Sequence, residues 1–129
     1  MRRLNALALG IAALLVGTMA AAHHSFAAIF DAAKPVTVTG TVTKLEWMNP
    51  HTWIYLDVKG ADGKTEAWAF ELGSPNRLMR YGWNQNSLPN GQTVTITGSR
   101  ARDGSLKAAV DTVTLPDGKR LFGAQDTSQ

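Results

Sequence analysis

Val36-Thr37-Val38-Thr39-Gly40-Thr41-Val42-Thr43-Lys44-Leu45-Glu46-Trp47 decides the fold. β-Branched residues alternate here with polar ones, the period-two pattern of a strand that buries one face. Val36, Val38 and Val42 share that face with Gly40, whereas Leu45 and Trp47 have the opposite parity. A strand cannot change face without an irregularity. The spacing therefore predicts a bulge or sharp bend, with Gly40 as the natural place for the strain.

Reading onward, Asn49-Pro50 marks a turn, and Thr52 to Val58 is a second strand. Ile54, Leu56 and Val58 lie on one of its faces, Trp53, Tyr55 and Asp57 on the other. Gly60-Ala61-Asp62-Gly63 is a hairpin turn, followed by a third strand over Thr65 to Leu72 with Trp68, Phe70 and Leu72 on one face. Ser74 reads as an N-cap and Pro75 as the first helical residue, with Gly82 as the stop, giving a short helix around Asn76 to Tyr81. Pro89-Asn90-Gly91, Asp103-Gly104 and Pro116-Asp117-Gly118 delimit a fourth strand, Gln92 to Arg100, and a fifth, Leu106 to Leu115. Lys119 to Phe122 adds a short edge strand. The expected fold is mainly β. It is a small OB-like Greek-key barrel of about five strands with one short helix between strands 3 and 4. A small β-sandwich is the alternative.

Reading back from Val36, residues 23–35 form an N-terminal segment carrying Phe26, Ile29 and Phe30, ended by Pro35. Before it, Arg2 and Arg3 precede an apolar run from Leu4 to Val16, and Ala20-Ala21-Ala22 offers small side chains at both positions a signal peptidase reads. The run is too short to span a bilayer core, which needs about 20 residues. Residues 1–22 are thus expected to be a cleavable signal peptide, which makes the protein periplasmic or secreted, with no membrane span after cleavage. The domain occupies residues 36–122, and 123–129 read as a flexible polar tail.

Loss of Arg2 and Arg3 with the leader brings the 13 basic residues to 11, against 10 acidic ones. So nearly neutral a balance gives no case for a nucleic-acid partner, which calls for a basic stripe. With no cysteine, the domain must be held by its core even in an oxidising compartment.

The segments His23-His24-Ser25-Phe26, Gly40-Thr41-Val42-Thr43, Glu46-Trp47-Met48-Asn49-Pro50-His51-Thr52-Trp53, Phe70-Glu71-Leu72-Gly73-Ser74-Pro75-Asn76-Arg77-Leu78 and Gly98-Ser99-Arg100-Ala101-Arg102-Asp103-Gly104 follow in that order. In these the chain resembles a family of small secreted bacterial proteins classed as a domain of unknown function. The resemblance spans the whole mature chain, and the Asn-Pro-His-Thr-Trp block is its most specific part. It implies an exported, OB-like domain in the periplasm and no established activity.

Chemistry is concentrated in three histidines. Cleavage after Ala22 makes His23 the first residue, and its free amine and imidazole can chelate one ion. A distant histidine would complete a T-shaped set of nitrogens that suits a copper ion, Cu(II), with its tetragonal preference. His51, in the turn between strands 1 and 2, is the only histidine outside the N-terminal pair. His24 supplies a spare nitrogen, and Met48 is a possible soft ligand for Cu(I). Cleavage one residue earlier gives Ala22-His23-His24, which holds Cu(II) in a square plane through amine, backbone amides and imidazole. The plain alternative is a solvated histidine pair and a His51 that only bonds within its turn.

Trp53, Tyr55 and Trp47 are the candidate ligand-binding aromatics, able to stack on a sugar or base. The competing and favoured expectation is that Phe26, Ile29 and Phe30 cover the Trp53 and Tyr55 rings, which would bring His23 and His24 toward His51. Glu71 reads as a solvated surface residue, and Arg77, Arg80, Arg100 and Arg102 as a solvated surface or a local anion patch. No nucleophile elbow, phosphate loop or Cys/His zinc set is present. The expectation is a periplasmic binding protein, more a binder than an enzyme, whose partner is a metal ion or a small extracytoplasmic ligand. A non-metal module using its aromatic face for an oligosaccharide or a protein stands second. A copper-dependent oxidase stands third, for want of a visible substrate groove.

Overall fold

β1 is far longer than any other strand. It runs from Phe30 to Glu46 and so passes straight through Pro35, instead of starting after it. A computed structural model describes residues 25–125, in the order α1 (Ser25–Ile29), β1 (Phe30–Glu46), β2 (Trp53–Lys59), β3 (Thr65–Glu71), α2 (Pro75–Arg80), β4 (Thr93–Ala101), β5 (Lys107–Thr114) and β6 (Arg120–Phe122). The expected leader, His23 and His24 lie outside the described residues. No helix among the described residues is long and apolar enough to cross a membrane.

Two irregularities let β1 serve two neighbours. Between Asp31 and Pro35 its register against β4 shifts, and Asp31 Oδ1 accepts a hydrogen bond from Ala33 N at 3.1 Å. Pro35, which has no N–H to give a ladder, stands at the end of this irregular stretch. The second shift falls between Val42 and Lys44 in the pairing with β2. An extra residue there exchanges the two faces, so Val38 and Val42 before it and Leu45 and Trp47 after it all pack on one core. The predicted bulge is thus present, at Thr43 and not at Gly40. Gly40 answers a different need. A Cβ there would stand 2.7 Å from Asp57 O and 2.8 Å from Val58 Cγ2, so glycine is what lets β1 cross β2 closely.

All six strands belong to one sheet, in the order β3-β2-β1-β4-β5-β6, which sets aside the two-sheet sandwich. Neighbours are antiparallel, except that β3 also pairs with β5 in parallel, through Ala69 with Lys107, Phe70 with Ala108 and Glu71 with Ala109. The three Asp-Gly turns share one device. Asp62, Asp103 and Asp117 each accept, at 2.9 Å, the N–H of the residue two positions on.

Ile54, Leu56, Phe70 and Ile96 are at most 1% exposed. Burying each stabilises the domain by about 1.5–3 kcal/mol. α2 begins as the sequence predicts, with Ser74 Oγ accepting from Arg77 N at 3.4 Å and Pro75 in the first turn. It buries Leu78, and Trp83 and Leu88 follow it into the core. Trp83 Nε1 donates to Phe122 O at 2.9 Å. Of the expected tail, residues 123–125 are described and are held to the domain, and 126–129 lie outside the described residues. Gly123 is buried and its N–H donates to Asp111 O at 2.9 Å, Ala124 packs on the core, and Gln125 Nε2 donates to Glu71 O.

Candidate functional site

On the outer face of the sheet, register assembles two rows. Glu46, Trp53, Glu71 and Ala109 pair in sequence across β1, β2, β3 and β5, and Lys44, Tyr55, Ala69 and Lys107 pair alongside them. The residues of each row face the same way because paired residues share a face.

His51 stands at the rim of this face. The chain enters β2 through Thr52, which is fully buried and is fixed by two backbone bonds, Thr52 N to Gly73 O at 3.1 Å and Leu72 N to Thr52 O at 2.9 Å. That anchorage presents His51 to the end of β3, where Nδ1 lies 3.1 Å from Glu71 Oε1. The imidazole is 46% exposed and the carboxylate side chain only 11%. Glu71 is therefore not the solvated residue the sequence suggested. Burial pushes its carboxyl above the usual range, against the pull of His51 and Lys107 in the other direction. Lys107 Nζ also sits 5.7 Å from the centre of the Trp53 ring.

In the second row, Tyr55 Oη donates to Glu46 Oε2 at 3.0 Å and Lys44 Nζ to Glu46 Oε1 at 2.6 Å. The lysine and tyrosine bonds hold the Glu46 carboxyl below its usual range. Burial, then the hydrogen bond to Glu46, pushes the Tyr55 hydroxyl up. Beside this cluster runs an open groove of about 510 Å³, with Tyr55, Asp57, Ala67 and Ala69 among its lining residues.

Trp53 and Tyr55 thus share the outer face, but Trp47 does not. The bulge turns it onto the core. Trp68 is buried as its parity predicts, stacked on Phe70 at 5.6 Å between ring centres. The N-terminal segment does not cover Trp53 and Tyr55 as expected. Phe26 and Phe30 pack instead with Ala101 and Ala109, and Ile29 is exposed. Met48 is exposed near His51 in the chain. The four arginines do not form one patch: Arg77 and Arg80 line a hollow with Tyr81, while Arg100 lies over the Trp68 ring and Arg102 bonds to α1. Among the described residues no three His, Cys, Asp or Glu side chains converge as a metal site would require.

The sequence missed Glu71 and Lys107. Their signal was positional: Glu71 has the parity opposite to Phe70 and Leu72, which puts it on the face of Trp53. Only the β3–β5 pairing, invisible in a linear reading, brings Lys107 beside them.

No curated protein matches the chain. Residues 12–110 match the model of a family of unknown function (DUF6152). That span is most of the chain and includes His23, His24 and His51, so the protein is a member of this family of unknown function.

Proposed function

We propose that the protein is an exported binding protein that holds a copper ion between its N-terminal histidines and His51. The observation that carries this reading is the His51–Glu71 pair at 3.1 Å. A ligating histidine commonly gives one ring nitrogen to a carboxylate, which fixes the ring and raises the basicity of the other. Glu71 lies beside Nδ1, and Nε2 of the half-exposed ring is the nitrogen this reading gives to an ion.

The N-terminal segment supports the same reading. Phe26 packs on the cluster of Phe30, Ala101 and Ala109, and Ala109 is the register partner of Glu71. The ligands in this reading are His23 and His51, with His24 as a further nitrogen and Met48 as a soft ligand.

The fold in this reading is an OB-type barrel. Its support is the circuit of pairings β1–β2–β3–β5–β4–β1, with α2 between β3 and β4. The leader and periplasmic location rest on the residue pattern of positions 1–22. The test is metal analysis of protein exported through its own leader. About one copper per chain, lost when the N-terminal amine is acetylated, is the expected result, and absence of bound copper contradicts it.

The groove beside Tyr55 favours a second reading, a hydroxyl-rich ligand such as an oligosaccharide laid over Ala67 and Ala69. Glycan binding that Tyr55→Ala abolishes and copper does not affect would favour it over the first.

A further inference from the structure

β3 pairs with β2 along its whole length, but on its other side it pairs with β5 only from Ala69 onward. Gly60 N donates to Lys64 O at 2.8 Å and Leu72 N to Thr52 O at 2.9 Å, and both bonds extend the β2–β3 register. In an antiparallel ladder, bonded pairs alternate with unbonded ones. Glu66, Trp68 and Phe70 therefore direct their backbone groups to β2, whereas Thr65, Ala67, Ala69 and Glu71 turn theirs away from it. Ala69 N accordingly donates to Leu106 O at 3.0 Å, and Glu71 O accepts from Gln125 Nε2. Thr65 and Ala67 have no such partner among the described residues, and both are exposed. The first half of β3 is thus an open sheet edge.

That edge borders the groove. Ala67 and Ala69 line it, and their register partners Asp57 and Tyr55 stand across from them on β2. The Tyr55 hydroxyl is tied to Glu46 on β1, and Lys44 is paired with the same carboxylate. Asp57 is exposed and has no hydrogen bond or ion pair among the described residues. We propose that the edge over residues 65–67 is a strand-addition site for an extended, basic segment of a partner protein. The incoming backbone bonds to the outward groups of Thr65 and Ala67. Its alternate side chains stand over the outer face of the sheet. The added strand lies two strand spacings, about 10 Å, from β2. A lysine or arginine laid across the Ala67 methyl bridges that gap to the unpaired Asp57 carboxylate, and a larger side chain at 67 would block its way. The proposal is independent of the copper reading, and it gives the groove a peptide where the second reading gives it a glycan.

The probe is a short end-capped peptide of alternating valine and lysine, titrated into the processed protein with amide exchange followed residue by residue. Exchange at Thr65 and Ala67 should slow, while that at Glu66 and Trp68, already bonded to β2, stays unchanged. Asp57→Asn, or glutamate in place of the peptide's lysines, should weaken binding about threefold to fivefold, as for an exposed ion pair. Ala67→Pro, which removes an outward N–H and spares the bonds to β2, should weaken it about tenfold, and so should N-methylation of the peptide's amides. Absence of binding at about 1 mM peptide, binding without slower exchange at Thr65 and Ala67, or equal binding of the glutamate peptide overturns the proposal. A neutral oligosaccharide that fills the groove while the peptide does not bind overturns it in favour of the glycan reading. Self-association that protects the same two amides overturns it in favour of a second copy of this chain.

Discussion

Glu71 stands directly opposite Trp53 in the β2–β3 register, and its carboxylate, 11% exposed, reaches out of that row to His51. A nearly buried acid, a half-exposed imidazole and a cation-topped indole are thereby fixed on one rim by backbone pairing.

Glu71 should make stability depend on pH in a definite direction. Burial raises its folded-state pKa above the unfolded value, with His51 and Lys107 opposing. The folded protein therefore binds this proton more tightly than the unfolded chain. The contribution is fully present below the ordinary carboxylate pKa and is lost as pH rises through the raised folded value. Glu71→Gln stays neutral throughout. Urea denaturation from about pH 4 to 7 should show the variant gaining stability relative to wild type as pH rises. A constant difference would contradict this.

Trp68 and Trp53 should respond differently to truncation. Trp68 is 6% exposed and stacks on Phe70, so Trp68→Ala should cost about 3–5 kcal/mol. Trp53 is half-buried on the outer face under Lys107, and Trp53→Ala should cost about 1–2 kcal/mol. Chemical denaturation of the two variants measures both. Equal losses would mean that Trp53 is sealed beneath other residues.

Gly40→Ala should destabilise the domain by more than the usual cost of a strand substitution. The new Cβ would meet Asp57 O at 2.7 Å, a backbone atom that cannot swing aside. A loss of about 1–3 kcal/mol is expected, the range for overpacking. A variant as stable as wild type would show that β1 and β2 separate without penalty.

Processing is read by intact mass. Exported protein should lack residues 1–22, or 1–21 if the cut falls one bond earlier. Retention of residues 1–16 in the mature protein would remove both the export argument and the free N-terminal amine.

Much of the fold was legible because local chemistry dictated it. Alternation gave the strands, Asp-Gly pairs gave the turns, and Ser74-Pro75 gave the start of α2. The parity change from Val42 to Leu45 announced a bulge, but its position followed from register, which Gly40 does not reveal. The early start of β1 was hidden because Pro35 ordinarily interrupts a ladder, and the irregular stretch after Asp31 absorbs it. At the site, His51, Trp53 and Tyr55 stood out by residue type. Glu71 and Lys107 did not, because each acquires its place from a partner distant in the chain: His51 and Trp53.

The central claim is that one ion joins the N-terminus to His51. Its most direct test is calorimetric titration of Cu(II) into protein processed through its own leader, repeated with His51→Ala and with the N-terminal amine acetylated. One site per chain is predicted, weakened substantially by either change. Binding that blocking the N-terminus abolishes but His51→Ala leaves intact would reduce the site to a local chelate, and binding that neither change affects would contradict the claim outright.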